Sequence, residues 1–256
     1  MFDSIIFGPV NSRRLGISLG INLLPNDCKV CNFNCIYCEC GWTNKNIPSS
    51  RKKFHPRFHV KENLENKFKE LKKSGSPIET ITFAGNGEPT LHPDFDKIID
   101  DTIELRNKYF SSAQIAVLSN STLINKKSVF NALNKVEQNI LKIDSAFEET
   151  INTHNDPPEN FNLDELVEDL KKFKGNLIIQ TLFLKGVYDG KTIDNTTKKE
   201  VDAWLKLIQK ISPKLVMIYT IKRNTPTHKL FQIPFSDLES IAKRMEKQGI
   251  KTQISD

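Results

Sequence analysis

The chain has 256 residues, a formal net charge of +6, 38% hydrophobic residues and 27% charged residues. This is an ordinary globular composition, long enough for one α/β domain with a full core. No apolar run approaches the roughly 18 residues of a membrane helix, and Met1-Phe2-Asp3-Ser4 lacks the basic flank and apolar stretch of a secretory signal, so a cytoplasmic protein without membrane attachment is expected.

Strand and helix patterns alternate along the chain. Ile17 to Leu24 is a strand pattern, and Val60 to Lys73 places Val60, Leu64, Phe68 and Leu71 at helical spacing ahead of Gly75. Ile78 to Ala84 is a short β-rich run, and Asp94 to Tyr109 a helix with Phe95, Ile98, Ile99 and Leu105 on one face. Gln114 to Leu118 is a strand, Lys126 to Val136 a helix, Ile140 to Asp144 a strand and Leu163 to Phe173 a helix. Leu177 to Leu184 is a strong strand, followed by a helix from Thr197 to Ile211 and a strand from Leu215 to Ile221. Ser236 is expected to cap a last helix ending near Gln248, before a closing strand at Ile250 to Ile254. Asn44 to His59 and Asn152 to Asn160 carry breakers without periodicity and are expected as loops.

Six βα units and an extra strand imply a parallel sheet wrapped by helices. Six are too few for a closed eight-stranded barrel, so the expected fold is α/β, a partial (β/α)6 barrel. Function in such folds gathers where strands end at their C-termini.

All five cysteines, Cys28, Cys31, Cys35, Cys38 and Cys40, fall within one short segment after the first strand pattern. A secreted disulfide scaffold spreads its cysteines, so this cluster reads as a metal site. Cys31, Cys35 and Cys38 form C-x3-C-x2-C. Three thiolates so spaced reach three corners of an iron–sulfur cubane and leave one iron open for a ligand, whereas an electron-transfer cluster is normally capped by four cysteines. A zinc site from Cys28, Cys31, Cys35 and Cys38, or one using Cys40, is the competing reading; zinc ribbons usually separate their cysteine pairs by a longer stretch.

C-x3-C-x2-C with an aromatic, Tyr37, before the last cysteine resembles the signature of the radical S-adenosylmethionine (SAM) superfamily. The resemblance implies a [4Fe-4S] cluster on Cys31, Cys35 and Cys38, whose open iron holds SAM, and Tyr37 near the adenine. Reductive cleavage of SAM would release a 5′-deoxyadenosyl radical that takes hydrogen from a substrate. Gly85-Asn86-Gly87-Glu88-Pro89 resembles the motif that holds the SAM amino group, and assigns Gly85, Asn86, Gly87 and Glu88 to SAM. Ser119-Asn120-Ser121 is similar to the S/T-N-G segment, with Ser121 in place of glycine; a plain asparagine-rich turn is the alternative.

Phe7-Gly8-Pro9-Val10-Asn11-Ser12-Arg13-Arg14-Leu15-Gly16 and Lys142-Ile143-Asp144 resemble a narrower group, iron–sulfur oxidoreductases related to the wyosine-forming tRNA enzymes. The similarity runs from Phe7 to Pro226. It implies one radical SAM domain over 1–256, with its core in 7–226 and an added helix and strand in 236–256. Lys142 and Asp144, two apart on a strand, share a face. The resemblance points Asp144 toward the ribose and Lys142 toward the SAM carboxylate or the substrate; a structural salt bridge is the alternative. Gln180 and Tyr219 stand on the corresponding later strands, Gln180 facing either the ligand or its strand neighbours. Arg223 follows as an anion binder or a solvated arginine.

The implied electron donor is a flavodoxin or ferredoxin. The second cysteine set or flavin domain of the wyosine-forming enzymes is absent, so the substrate stays open among a tRNA nucleobase, a peptide and a small metabolite. A glycyl-radical activase is the rival within the class. A zinc-binding nucleic-acid module and a plain electron-transfer protein are the rivals outside it. The basic segment Arg51 to His59 interleaves cations and aromatics, as a polynucleotide groove does and as a solvated loop also does.

Overall fold

The computed structural model describes residues 1–44 and 53–255. The chain divides into two compact units, Met1–Cys31 with Thr43–Ser119 and Leu123–Asn139, and Asn32–Trp42 with Asn120–Thr122 and Ile140–Asp256.

In the first unit β1 (Ile6–Ser12) pairs antiparallel with β2 (Gly16–Ile21), and β2 runs parallel to β3 (Thr80–Phe83), which runs parallel to β4 (Gln114–Ser119). β3 is buried along its whole length, as expected for a strand covered on both faces. α1 (Arg57–Ser74), α2 (Phe95–Tyr109) and α3 (Lys127–Leu133) belong to the same unit. α1 buries the four apolar residues of its sequence stripe and ends at Gly75, whose left-handed φ of 70° suits glycine. The strand β1 was not anticipated. Its Phe7 ring lies where a side chain at Gly20 would project, since a Cβ there would meet the ring at 2.0 Å, and Phe2 stacks on Phe7 at 3.7 Å.

α1 begins within the segment expected to be a loop. Arg57, in its first turn, is committed to Asp101 of α2 by two hydrogen bonds of 2.6 and 2.9 Å. Arg51 and Lys52 of the basic segment lie outside the described residues.

In the second unit the parallel strands run in the order β5 (Gln138–Lys142, entering from the first unit), β6 (Ile178–Phe183), β9 (Leu215–Thr220) and β11 (Thr252–Ser255). The closing strand is therefore present. β7 (Lys185–Tyr188) and β8 (Lys191–Asp194) form a hairpin that β10 (Leu230–Phe231) extends. Its turn, Asp189-Gly190, has positive φ at both residues, 49° and 72°, as a type I′ turn requires. Helices α4 (Glu148–Asn155), α5 (Leu163–Lys171), α6 (Lys198–Ile211) and α7 (Phe235–Glu246) complete the unit. Two expectations are corrected. Residues 152–155 are the end of α4 rather than loop, and Pro234, not Ser236, stands at the cap of α7, where Ser236 Oγ turns to Asp237. Trp204 of α6 is fully buried, edge-on to Phe183, and donates its indole hydrogen to Thr181 Oγ1 at 3.1 Å.

The buried Asn195 joins three backbone segments. Its amide nitrogen donates to Asp144 O (3.0 Å) and Leu182 O (2.8 Å), and its Oδ1 accepts from Leu184 N (2.8 Å). Asn195→Ala strands these groups, and a loss of about 2–3 kcal/mol is expected in urea unfolding of the iron-free chain.

Candidate functional site

In the first unit the glycine motif is bound to the residue before Cys31. Val30 N donates to Asn86 O (2.9 Å) and Glu88 N donates to Val30 O (3.0 Å), so Val30 and Gly87 form a parallel bridge. Gly87 has φ 140°, and a Cβ there would lie 1.9 Å from Val30 O. Only glycine lets the two segments approach this closely. The Asn86 side chain is buried and ties down the N-terminal segment. It accepts from Phe2 N and donates to Phe2 O and Pro25 O, each at 2.8 Å. Gly85 lies over Asn22, whose Oδ1 accepts from Asn86 N at 3.1 Å. The buried Glu88 carboxylate accepts from Thr90 N and Thr90 Oγ1 at 3.1 and 2.5 Å, capping the short turn Pro89–Leu91. Ser119 is buried at the end of β4.

In the second unit the rest of the cysteine loop is held by the end of α4. Asn34 N donates to Asn155 O (2.8 Å) and Ile36 N to His154 O (3.0 Å). Cys38 N donates to Cys35 O at 3.1 Å, so one turn carries both of these thiols. Beyond it, Glu39 pairs with Arg223 at 2.6 Å; both are exposed, and such a pair contributes about 0–1 kcal/mol.

Beneath that turn lies a buried polar network. Tyr37 donates its hydroxyl hydrogen to Asp144 Oδ2. The Asn155 amide nitrogen lies 2.7 Å from Tyr37 Oη, 2.8 Å from Asp144 Oδ2 and 3.4 Å from Cys35 Sγ. Lys142 Nζ donates to Asp144 Oδ1 (3.2 Å) and to Tyr219 Oη (3.1 Å), and stands 5.2 and 5.5 Å from the Tyr37 and Tyr219 ring centres. Leu182 N donates to Asp144 Oδ1 at 2.9 Å. Register explains the reach of Lys142. Lys142, Gln180 and Met217 are aligned across β5, β6 and β9, and Tyr219 is two residues on, on the same face.

The Asp144 side chain is fully buried, and that of Lys142 is 12% exposed. Burial would raise the Asp144 pKa, but Lys142, the Leu182 amide, Tyr37 and Asn155 hold it below the usual carboxylate range. Burial likewise opposes the Lys142 charge, and Asp144, Tyr219 and Cys35 more than offset it, so its pKa is raised. Burial first, then Asp144, pushes Tyr37 well up, so it stays a phenol. Burial also raises the Cys35 thiol, with Lys142 and the Asn155 hydrogen bond opposing.

Of the residues singled out in the sequence, this network unites Cys35, Tyr37, Lys142, Asp144 and Tyr219. Gln180 is buried beside them on β6, where its backbone oxygen accepts from Ile143 N at 3.1 Å. Asn120 joins Asn32 of the cysteine loop at 2.6 Å, and Asn32 reaches Thr122 at 2.6 Å. Ser121 occupies the left-handed region, φ 74°, at the position where the resemblance has glycine, and its hydroxyl donates to Lys142 O at 3.2 Å. Sequence reasoning missed Asn155, Asn195, Asn22 and Asn32, because buried asparagines carry no periodicity.

The donor set fits an iron–sulfur cluster. The five cysteines stand outside any disulfide, and Cys31 and Cys38 are partly exposed. Among the described residues no three His, Cys, Asp or Glu side chains are gathered for one metal ion. Thiolates are the usual protein ligands of iron–sulfur clusters.

Residues 26–211 match the model of the Radical SAM superfamily, and the chain belongs to that family, with a [4Fe-4S] cluster and SAM as its cofactors. It is 34% identical over 189 residues to a UPF0026 protein of Methanocaldococcus jannaschii, covering 72% of this chain and 55% of the relative. The chain spans between 33% and 58% of the length of the first curated relatives it matches. Its fold is similar to that of a radical SAM methyltransferase from Sphaerobacter thermophilus (TM-score 0.66, 10% identity, 93% of this chain and 65% of that one). It is also similar to TYW1 with a lysine–pyruvate adduct bound (TM-score 0.62, 15% identity, 90% and 73%). The fold is thus the α/β partial barrel of this superfamily.

One substitution in each unit tests the contacts described there. Asp144→Asn leaves Lys142 buried without its counter-charge, and a loss of about 3–5 kcal/mol is expected in urea unfolding, partly restored by adding Lys142→Met. Gly87→Ala forces Val30 away, so the variant is expected to retain markedly less iron after anaerobic reconstitution than the wild-type chain.

Proposed function

We propose that Cys31, Cys35 and Cys38 hold the cluster, and that the chain takes a hydrogen atom from its substrate, with a nucleobase in tRNA as the first substrate class to test. When bound, the cluster supplies the electron that cleaves SAM to a 5′-deoxyadenosyl radical. The single observation that carries the site assignment is the hydrogen-bonded bridge between Val30, next to Cys31, and Gly87 of the glycine motif. It joins two segments that the resemblance assigns separately to cluster and SAM.

The chain's own residues position and exclude. The Gly85–Glu88 backbone offers the SAM amino group a close approach. Tyr37, fixed by Asp144 and Asn155, presents its ring toward the adenine. Lys142 and Asp144 hold each other in the dry interior, where an abstracting radical is protected from water. Ser119, Asn120, Gln180 and Tyr219 complete the proposed SAM contacts. The nucleobase reading draws on the likeness to TYW1 and on the net charge of +6. A flavodoxin or ferredoxin is the proposed donor, in a reducing cytoplasm that keeps the five cysteines out of disulfides. By its first step the enzyme is an oxidoreductase. The zinc-module alternative gives way to membership of the Radical SAM family.

Anaerobic reconstitution with iron and sulfide, followed by dithionite and SAM, is expected to yield 5′-deoxyadenosine. Cys31→Ala, Cys35→Ala or Cys38→Ala should each abolish it. Undiminished product from any of the three overturns the ligand assignment.

A further inference from the structure

Asn155 serves the cysteine loop twice. Its backbone oxygen accepts from Asn34 N at 2.8 Å. Its side-chain amide reaches a thiol, with Nδ2 3.4 Å from Cys35 Sγ. Both residues are buried, so water scarcely competes for either group, and a low local dielectric strengthens the hydrogen bond.

An amide nitrogen carries two hydrogens. Asn155 Nδ2 has three acceptors in reach: Tyr37 Oη at 2.7 Å, Asp144 Oδ2 at 2.8 Å and Cys35 Sγ at 3.4 Å. Tyr37 spends its own hydrogen on Asp144 Oδ2, and its oxygen is neutral. A cysteine that ligates iron does so as a thiolate. Hydrogen bonds to ionised acceptors are roughly twice as strong as neutral ones. The carboxylate and the thiolate therefore take the two hydrogens, and the phenol oxygen is the acceptor left out.

Hydrogen bonds to the sulfurs are among the levers that set the potential of an iron–sulfur cluster. A donor at a ligand sulfur favours negative charge there, and the reduced cluster carries one negative charge more than the oxidised one. We propose that Asn155 is a positioning residue that acts through Cys35, its N–H···S contact raising the reduction potential of the cluster and so easing the electron transfer on which SAM cleavage depends. The inference rests on the proposed ligation of the cluster by Cys35. The step concerned is the addition of one electron, given by the flavodoxin or ferredoxin donor, or by dithionite in the test. No bond forms or breaks in it, and Asn155 keeps both its hydrogens.

The test is a redox titration followed by electron paramagnetic resonance, on the full chain reconstituted anaerobically and without SAM. Asn155→Leu and the smaller Asn155→Ala both keep the backbone oxygen that holds Asn34 and both lose the donor. In each, the ratio of reduced to oxidised cluster at the wild-type midpoint is expected to fall about tenfold, a shift of about 59 mV for one electron. Tyr37→Phe removes a competitor for the Asn155 hydrogens, so its midpoint is expected to hold or rise. On the wild-type chain, which needs no variant to fold, spin-echo modulation of the reduced cluster is expected to show a weakly coupled nitrogen that changes when asparagine side-chain amides are labelled with nitrogen-15. A Cys35→Ala chain whose cluster keeps the wild-type signal and potential overturns the ligand assignment, and this inference with it. Where Cys35→Ala loses that cluster, an unshifted midpoint in the Asn155 variants overturns the inference alone. So does a fall in Tyr37→Phe as large as in those variants, or a wild-type cluster with no coupled asparagine nitrogen.

Discussion

The second unit depends on one buried carboxylate. Asp144 accepts from Tyr37, Lys142, Asn155 and the Leu182 amide, and its side chain is fully buried. An unpaired carboxylate so placed would be protonated or would unfold the segment around it. Four donors from four places in the chain make its charge tolerable, and in doing so they fix one another. The same carboxylate that neutralises Lys142 also orients the Tyr37 ring and, through Asn155, touches the thiol of Cys35. The Lys142 and Asp144 charges cancel, so the network as a whole carries no net charge.

Lys142 and Asp144 form the ion pair that the sequence offered as the alternative to contact with SAM. Their salt bridge is real, and it is also the floor on which the cysteine turn rests. Spacing of two on a strand pattern correctly placed them on one face, although β5 ends at Lys142 and Asp144 lies just beyond it. What spacing could not show is that Lys142 crosses a neighbouring strand to reach Tyr219, because that depends on parallel register, which pairwise patterns along one strand do not encode.

Long elements were legible. The stripe Val60, Leu64, Phe68, Leu71 is the buried face of α1, and the apolar run at 178–183 is a strand buried along its length. The parallel alternation of strand and helix followed from these. Legibility failed where structure is made by polar side chains or by partners far away in the sequence. Asn22, Asn86 and Asn195 bind backbone groups in the interior and Asn155 binds the Tyr37 and Asp144 side chains, whereas asparagine in isolation reads as turn chemistry. The β7–β8 hairpin carried an Asp-Gly turn signal that was available and was passed over between a strong strand and a strong helix.

α4 shows the most informative failure. It is short, with Ile151, His154 and Asn155 as its buried residues, so neither hydrophobic periodicity nor length announced it. A helix ends with carbonyls that lack intrahelical partners. In α4 two of these, on His154 and Asn155, are taken by amides of the cysteine loop at Ile36 and Asn34. The left-handed Asp156 and then Pro157 and Pro158 prevent the helix from continuing. The loop supplies the cap that the helix lacks, and the helix supplies the acceptors that an irregular, largely buried loop needs. Neither segment is specified by its own residues alone. Each is written in the sequence more than a hundred residues from the other, and they become readable together only when the chain is folded. Asn155 also reaches the Cys35 thiol with its side chain, so the end of one short helix both holds the cysteine loop by its backbone and touches one of its thiols.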